Sequence, residues 1–239
     1  MEIHGIRIDW MKFSDIIDLI NNNKTEKKGS FLATLDVLGL DLTTRNKDYF
    51  EALKQASMVF LDGAGVILIA KIMKKLPPPR FPGADLFLKL CSMASKNNFR
   101  IFLYGSKPEV LIRLERELRK KFPEIIICGT LDGYSVSAED APAIIKNCNP
   151  DILFVALGIP HQECFINKEI LPINIPLSMG VGGSFDVHSG TLKRAPRFLQ
   201  KLGLEWLFRL IQQPKRVFKI IRIPIFLIKT YISEYFRQD

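Results

Sequence analysis

One acid in the sequence, Asp62, stands where a general base could act. It comes directly after the apolar run SMVFL and opens the tetrapeptide Asp-Gly-Ala-Gly. A carboxylate just beyond a buried strand can take a proton from a substrate hydroxyl. Two alternatives are open: Asp62 could cap the helix that follows, or Gly63 and Gly65 could begin a dinucleotide-binding fingerprint. The fingerprint is only weakly supported, because Leu68 occupies the position of its third glycine.

Two glycine-containing loops carry features that suit phosphate binding. Arg80 lies in the stiff segment PPPRFPG, next to a predicted helix start, and a cation held there could clamp a phosphate. Gly105 follows the run RIFLY and precedes Ser106, so the free amides of another helix start would face an anion. The alternatives remain open, namely an ion pair between Arg80 and Asp85 and simple helix capping by Ser106.

Gln162 and Glu163 follow the apolar run DILFVAL and the segment GIPH. Polar side chains at strand ends commonly hold sugar hydroxyls, although most glutamines at helix starts have no such role. His161 and His188 are isolated, and neither is predicted to be catalytic. No Asp-x-Asp pair and no His or Cys cluster has metal-ligand spacing, so we predict neither a metal nor a cofactor. Negative charge that develops in a reaction must then be balanced by Arg, Lys and helix termini.

The predicted elements that would position these residues alternate between strand and helix. Short apolar runs at 31–37, 57–61, 100–104, 124–128, 151–157 and 175–181 predict buried strands. Helical patterns lie between them, near 45–55, 63–75, 84–97, 107–121, 138–147 and 162–170. This alternation predicts an α/β, Rossmann-like fold with a largely parallel sheet and helices on both faces. Ligands of such sheets bind at the carboxyl ends of the strands, where the residues above are expected.

Charge divides the chain into two parts. The net charge is +9, and the segment from Thr191 onward holds eleven Lys or Arg residues against three acids. We therefore predict a near-neutral catalytic domain at 1–190 and a basic, amphipathic helical appendage at 191–239. The partner of such an appendage should be anionic, either nucleic acid or a membrane surface. Scattered cysteines, no leader-like apolar run and no run of some 20 apolar residues predict a cytoplasmic protein.

Several motifs together resemble the WecG/TagA/CpsF family of glycosyltransferases, glycosyltransferase family 26. The resemblance runs from about Thr34 to Phe218, and eight elements in the family's order make it specific. After Thr34 in the first strand come LDGAGV, RFPGADL, YGSKPEV, DGY, PDILFVALGIPHQE, GVGGSFDVHSG and RAPRFLQKLGLEWLFRL.

The resemblance implies an inverting transfer of N-acetylmannosamine, or a related amino-sugar, from a UDP-sugar to undecaprenyl-diphosphate-linked GlcNAc. It also implies a metal-free reaction and an appendage that meets an anionic membrane surface on the inner face of the cell membrane. Asp62 is then expected to be the catalytic base. The residues expected to bind substrate are Thr34, Asp36, Arg80, Gly105, Gln162, Glu163, Arg209 and Arg216.

Two positions depart from the family pattern. Asp36 stands where the family has Asn, so an ionised side chain there cannot donate a hydrogen bond and repels phosphate. His161 replaces a Lys, which removes a permanent cation. A competing interpretation is a nucleotide-binding regulatory module with an RNA-binding tail, and a weaker one is a dehydrogenase. We favour the transferase with no nucleic-acid partner, because the tail's apolar residues have no role in RNA binding; a homo-oligomer is left open.

Overall fold

The computed structural model describes residues 1–10, 13–196, 198–199, 205–212 and 222–235, except for the side chains of Arg209 and residues 233–235. The strands are β1 Glu2–Ile3, β2 Ile6–Arg7, β3 Phe31–Leu35, β4 Met58–Leu61, β5 Arg100–Gly105, β6 Ile126–Leu131, β7 Ile152–Ala156 and β8 Leu177–Gly180. The helices are α1 Phe13–Glu26, α2 Val37–Thr43, α3 Lys47–Gln55, α4 Ala64–Ile72, α5 Gly83–Lys96, α6 Pro108–Lys121, α7 Ala141–Asn147, α8 His161–Phe165, α9 Ser184–His188, α10 Glu205–Gln212 and α11 Arg222–Tyr235. A π-helical turn, Ile166–Ile170, continues α8 and is followed by a 3₁₀ turn, Leu171–Ile173.

Six of the strands form one sheet in the order β4-β3-β8-β7-β5-β6, and all five neighbouring pairs are parallel. The strands β4, β7 and β8 are buried along their whole length, as continuous apolar runs are when helices cover both faces of a sheet. The remaining strands, β1 and β2, form a small antiparallel hairpin. The predicted α/β, Rossmann-like class is confirmed.

Two apolar cores lie on opposite faces of the sheet. On one face, alternate strand residues pack with α2, α3, α4, α7, the helix that begins at His161, the hairpin and Phe226. On the other face, the intervening strand residues pack with α1, α5, α6 and α9. Since side chains of a strand alternate between faces, the same strands supply both cores. Because all the neighbouring strands are parallel, every strand of the sheet has its carboxyl end at one common edge.

The boundaries differ from the sequence prediction in places with a clear physical reason. The first predicted strand, 31–37, stops at Leu35, because Asp36 caps a helix: its Oδ1 accepts a hydrogen bond from the backbone N–H of Gly39 at 2.8 Å. The fourth predicted strand, 124–128, lies at Ile126–Leu131, and its pairing with β5 contains an irregularity near Cys128. Helices α1 and α2 and the hairpin were not predicted from the sequence pattern.

Two helices of the basic segment are described, and one of them packs closely on the body. Phe226 and Thr230 of α11 are buried, and Phe226 contacts the ring of His4 in the hairpin. Arg222 pairs with Asp41 of α2 at 3.2 Å. The predicted amphipathic appendage would turn apolar residues such as Phe226 toward the membrane, and for Phe226 this is wrong, because its side chain belongs to the core. The domain boundary at 190/191 stays a prediction.

Candidate active site

Asp62 and Thr34 meet at the carboxyl ends of β4 and β3. The backbone N–H of Asp62 bonds to the carbonyl of Leu35, which continues the pairing of the two strands by one residue. Gly83, the first residue of α5, packs against both side chains: a methyl group there would lie 3.2 Å from Asp62 Oδ2 and 3.4 Å from Thr34 Oγ1. Asp62 is partly exposed. The structure therefore brings the expected base and a hydroxyl together at the positive end of a 14-residue helix.

Arg80 lies beside Asp62. Its Nε donates a hydrogen bond to the backbone carbonyl of Asp62 at 2.6 Å, and the side chain is half-buried. The backbone of Phe81 also donates to the carbonyl of Leu61, so the stiff loop is fixed to the end of β4. The ion pair considered for Arg80 with Asp85 is not formed, because the carboxylate of Asp85 pairs with Arg194. The guanidinium charge of Arg80 thus stands next to the expected base.

Asp36 occupies the end of the neighbouring strand and works as the cap of α2. Its Cβ lies close to Gly63, so it borders the loop that carries Asp62. Asn and Asp are about equally good in this capping position. The departure from the family's Asn is therefore not required by the helix, and its effect on the substrate stays a prediction.

Gln162 connects the loops that follow β7 and β8. Its Oε1 accepts hydrogen bonds from the backbone N–H groups of Gly182 at 2.9 Å and Gly158 at 3.2 Å. Its Nε2 donates to Glu163 Oε1 at 2.7 Å. Gly180 leaves room for this pair, since a methyl group there would lie 2.8 Å from the amide nitrogen. Gln162 thus holds these two loops together at the middle of the sheet's carboxyl edge. Its direct contact with substrate stays a prediction.

Glu163 is buried, with 1 % of its surface exposed. Burial raises the pKa of its carboxyl to about 8, the hydrogen bond from Gln162 opposes this rise, and the charge of Asp36 adds to it. Its Oε2 has no hydrogen-bond partner among the described residues. The substrate contact expected for Glu163 stays a prediction, and the geometry favours an indirect role through Gln162.

Gly105, the last residue of β5, lies further along the carboxyl edge of the sheet. It has a φ of +102°, and a methyl group there would lie 2.6 Å from the carbonyl oxygen of Ala156. Only glycine fits this position, because its backbone closely approaches β7. The strands between β4 and β5 separate it from Asp62 by about 19 Å, at the usual spacing of sheet strands. Gly105 could therefore contact only a different part of a long substrate.

The remaining expected ligands are not placed. Arg216 lies outside the described residues, and the side chain of Arg209, in α10, does as well. Gly83 and Gly180 are parts of the site that were not predicted from the sequence. Their signal was present in the motifs RFPGADL and GVGGS, where glycine permits close packing. Within the described ranges, no three His, Cys, Asp or Glu side chains are grouped to hold a metal ion.

A sheet of this kind, with an acid, an arginine and a helix start at one carboxyl edge, suits an enzyme that acts on a phosphorylated substrate. The whole chain, residues 1–239, matches the Glycosyl transferase WecG/TagA/CpsF family. The protein belongs to this family and is a glycosyltransferase, as its sequence motifs predict.

Two curated relatives cover most of the chain. The N-acetylglucosaminyldiphosphoundecaprenol N-acetyl-beta-D-mannosaminyltransferase of Bacillus subtilis (strain 168) is 34% identical over 233 residues, which are 97% of this chain and 91% of the relative. The enzyme with the same name from Bacillus spizizenii (strain W23) is 36% identical over 200 residues, 83% of this chain and 77% of the relative. Neither comparison supports a regulatory, RNA-binding protein.

Proposed function

We propose that the protein transfers N-acetylmannosamine, or a closely related amino-sugar, from a UDP-sugar to undecaprenyl-diphosphate-linked GlcNAc. The observation that carries the proposal is the meeting of Asp62, Thr34 and Arg80 at one edge, in a chain similar over most of its length to two transferases of that name. The Asp36 cap neighbours this edge, and an acid there in place of an amide would influence which amino-sugar fits.

The proposed reaction is a single displacement. The acceptor hydroxyl attacks the anomeric carbon while the carboxylate of Asp62 takes its proton. The bond from the anomeric carbon to the diphosphate oxygen breaks, and UDP leaves with the electron pair on the opposite face. One displacement inverts the anomeric centre. Base catalysis of this kind contributes about 10² to 10⁴ in rate, and positioning and charge stabilisation must supply the rest.

Cations and helix amides would stabilise the leaving diphosphate. Arg80 holds its charge next to Asp62, and the first turn of α5 presents backbone amides to the same place. Gly105 would receive a more distant part of the donor through its backbone. We assign Arg209 and Arg216 to the diphosphate as well, on the strength of the family resemblance.

The acceptor is lipid-linked, and we propose that the protein binds the inner face of the cell membrane peripherally. No helix in the described part of the chain is long and apolar enough to cross a bilayer. We call the exposed surface of α11, α4 and the loop after α4 the membrane face. It combines exposed apolar and basic residues, as interfacial segments do. Its members are Leu68, Leu76, Ile225, Ile228, Ile232, Lys71, Lys74, Lys75 and Lys229.

A donor panel tests the proposed function. The full chain is incubated with a water-soluble lipid-diphosphate-GlcNAc analogue and one UDP-sugar at a time, and UDP release is measured. We expect release with UDP-N-acetylmannosamine that depends on the acceptor, and a product with the inverted anomeric configuration by NMR. Release without acceptor, or only with an unrelated sugar, would contradict the proposal.

A further inference from the structure

The first turn of α5 links the expected base to a second acid. Gly83, the first residue of the helix, packs against Asp62, and Asp85 lies two residues further in the same turn. The backbone N–H of Asp85 already bonds to the carbonyl of Pro82. A change in the position of the Asp85 carboxylate would therefore move the first turn of α5, which packs against Asp62.

Arg194 and Asp85 form a bidentate ion pair, in which both terminal nitrogens of the guanidinium group bind the carboxylate. Nη1 donates to Oδ1 at 2.5 Å and Nη2 donates to Oδ2 at 2.7 Å, across 109 positions in sequence. The pair is partly shielded, with exposed side-chain fractions of 25% for Arg194 and 42% for Asp85. The hydrogen bond from Arg194 lowers the pKa of Asp85, which keeps the pair ionised. A bidentate arginine–carboxylate pair fixes orientation as well as distance.

A second contact holds the next helix to the residue beside Arg194. The side-chain amide of Gln212, at the end of α10, bonds twice to the backbone of Lys193: its Oε1 accepts from the N–H at 3.0 Å and its Nε2 donates to the carbonyl at 2.8 Å. The other end of α10 begins at Glu205. The hydrogen bonds that Arg194 donates to Asp85 raise the pKa of Arg194, and the charges of Glu205 and Asp62 add to the rise. Gln212 therefore ties the C-terminal end of α10, a helix about 12 Å long, to the residue next to Arg194.

We propose that these two contacts, Arg194 with Asp85 and Gln212 with Lys193, form a clasp that holds α10 beside the active site. Asp85, Arg194 and Gln212 are then positioning residues for the transfer. The helix that they hold contains Arg209, so the clasp fixes the distance of that part of the basic segment from Asp62. This inference rests on the proposed function for its effect on catalysis, but the clasp itself is a property of the protein without substrate.

Trp206 reports on the clasp independently of activity. The chain has two tryptophans, and Trp206 is in α10 with 43% of its surface exposed. In a Trp10→Phe background, acrylamide quenching of the remaining tryptophan measures how well α10 is held. We expect quenching to rise in Asp85→Asn, Arg194→Gln and Gln212→Ala. Arg222→Ala is the matched control, because it breaks a different ion pair between the basic segment and the body.

Kinetics with the soluble acceptor analogue give the second readout. Asp85→Asn and Arg194→Gln should each lower kcat/KM by about tenfold to a hundredfold, the cost of a misplaced catalytic geometry. Because both remove the same contact, the double variant should lose little more than either single one. Arg222→Ala should keep both kcat/KM and quenching at wild-type values.

Three results would overturn the clasp. Unchanged quenching in all three variants would show that α10 is held by other contacts. Additive kinetic losses, with the larger loss in Arg194→Gln, would place Arg194 on the substrate instead. Equal effects of Arg222→Ala would show general loosening of the basic segment. If the wild type released no UDP, the proposed function would fail while the quenching experiment still decided the clasp.

Discussion

Replacement of the buried Glu163 by Gln should change how stability depends on pH. Gln has nearly the same shape, and its carbonyl oxygen can accept the hydrogen bond that Gln162 donates to Glu163 Oε1. It cannot ionise, so the variant removes one titration and little else. We expect Glu163→Gln to match the wild type near pH 4 and to become progressively more stable than the wild type up to about pH 8.

The sign follows from the raised pKa. The carboxyl of Glu163 has a pKa of about 8 in the folded protein, against an ordinary value of 4.5, and burial is the largest cause. Between these values the folded chain keeps a proton that the unfolded chain has released, so stability falls as pH rises. The slope is at most about 1.4 kcal/mol per pH unit. Over the whole window, the wild type would lose up to about 4 kcal/mol through this group.

Urea unfolding at several pH values from 4 to 8 measures this difference directly. The quantity to compare is the free energy of unfolding of Glu163→Gln minus that of the wild type. Glu109→Gln is the matched control, since Glu109 is exposed in the first turn of α6. A difference that stays constant with pH would refute the reasoning, because Glu163 would then be ionised in the folded protein.

Three further predictions concern the site and the membrane face. Arg80→Ala should weaken binding of the donor or acceptor diphosphate by about 1.5 to 3 kcal/mol, the range of a charge-assisted hydrogen bond, and unchanged KM values for both substrates would remove Arg80 from the site. EDTA should leave turnover intact, whereas a loss restored by Mg²⁺ or Mn²⁺ would contradict a metal-free reaction. Ile228→Glu should reduce flotation with anionic liposomes, while Ile112→Glu, at an exposed isoleucine of α6 on the other face of the sheet, should not. Equal flotation of the wild type and Ile228→Glu would exclude this part of the membrane face.

The sheet was predictable because its strands carry a strong local signal. Runs such as ILFVA at Ile152–Ala156 are short and apolar throughout, which is typical of a strand covered on both faces. Helix α2 was hidden because it begins directly after β3, so its apolar start extended the predicted strand past Asp36. The hairpin was hidden because each of its strands has only two residues.

The site was predictable in composition but not in its contacts. The strand-end rule places Asp62 at the correct edge without any coordinates. The rule cannot show that Arg80 bonds to the backbone of Asp62, or that Asp85 pairs with Arg194, because partners 18 and 109 positions apart are set by the fold. The burial of Glu163 could not be predicted either. The five residues of α8 mix exposed and buried positions, so they give no clear pattern that assigns Glu163 to the buried side.

The most direct test of the account is the turnover of Asp62→Asn with saturating donor and soluble acceptor analogue. The change removes the proton acceptor and preserves the shape of a side chain that packs against Gly83. Asp18→Asn, at an exposed position of α1, is the matched control. We predict that kcat falls by about 10² to 10⁴ while the affinity for the UDP-sugar hardly changes and the control keeps full activity. A loss of only a few-fold in kcat would contradict the role of Asp62 as the base and leave it as a structural residue at the end of β4.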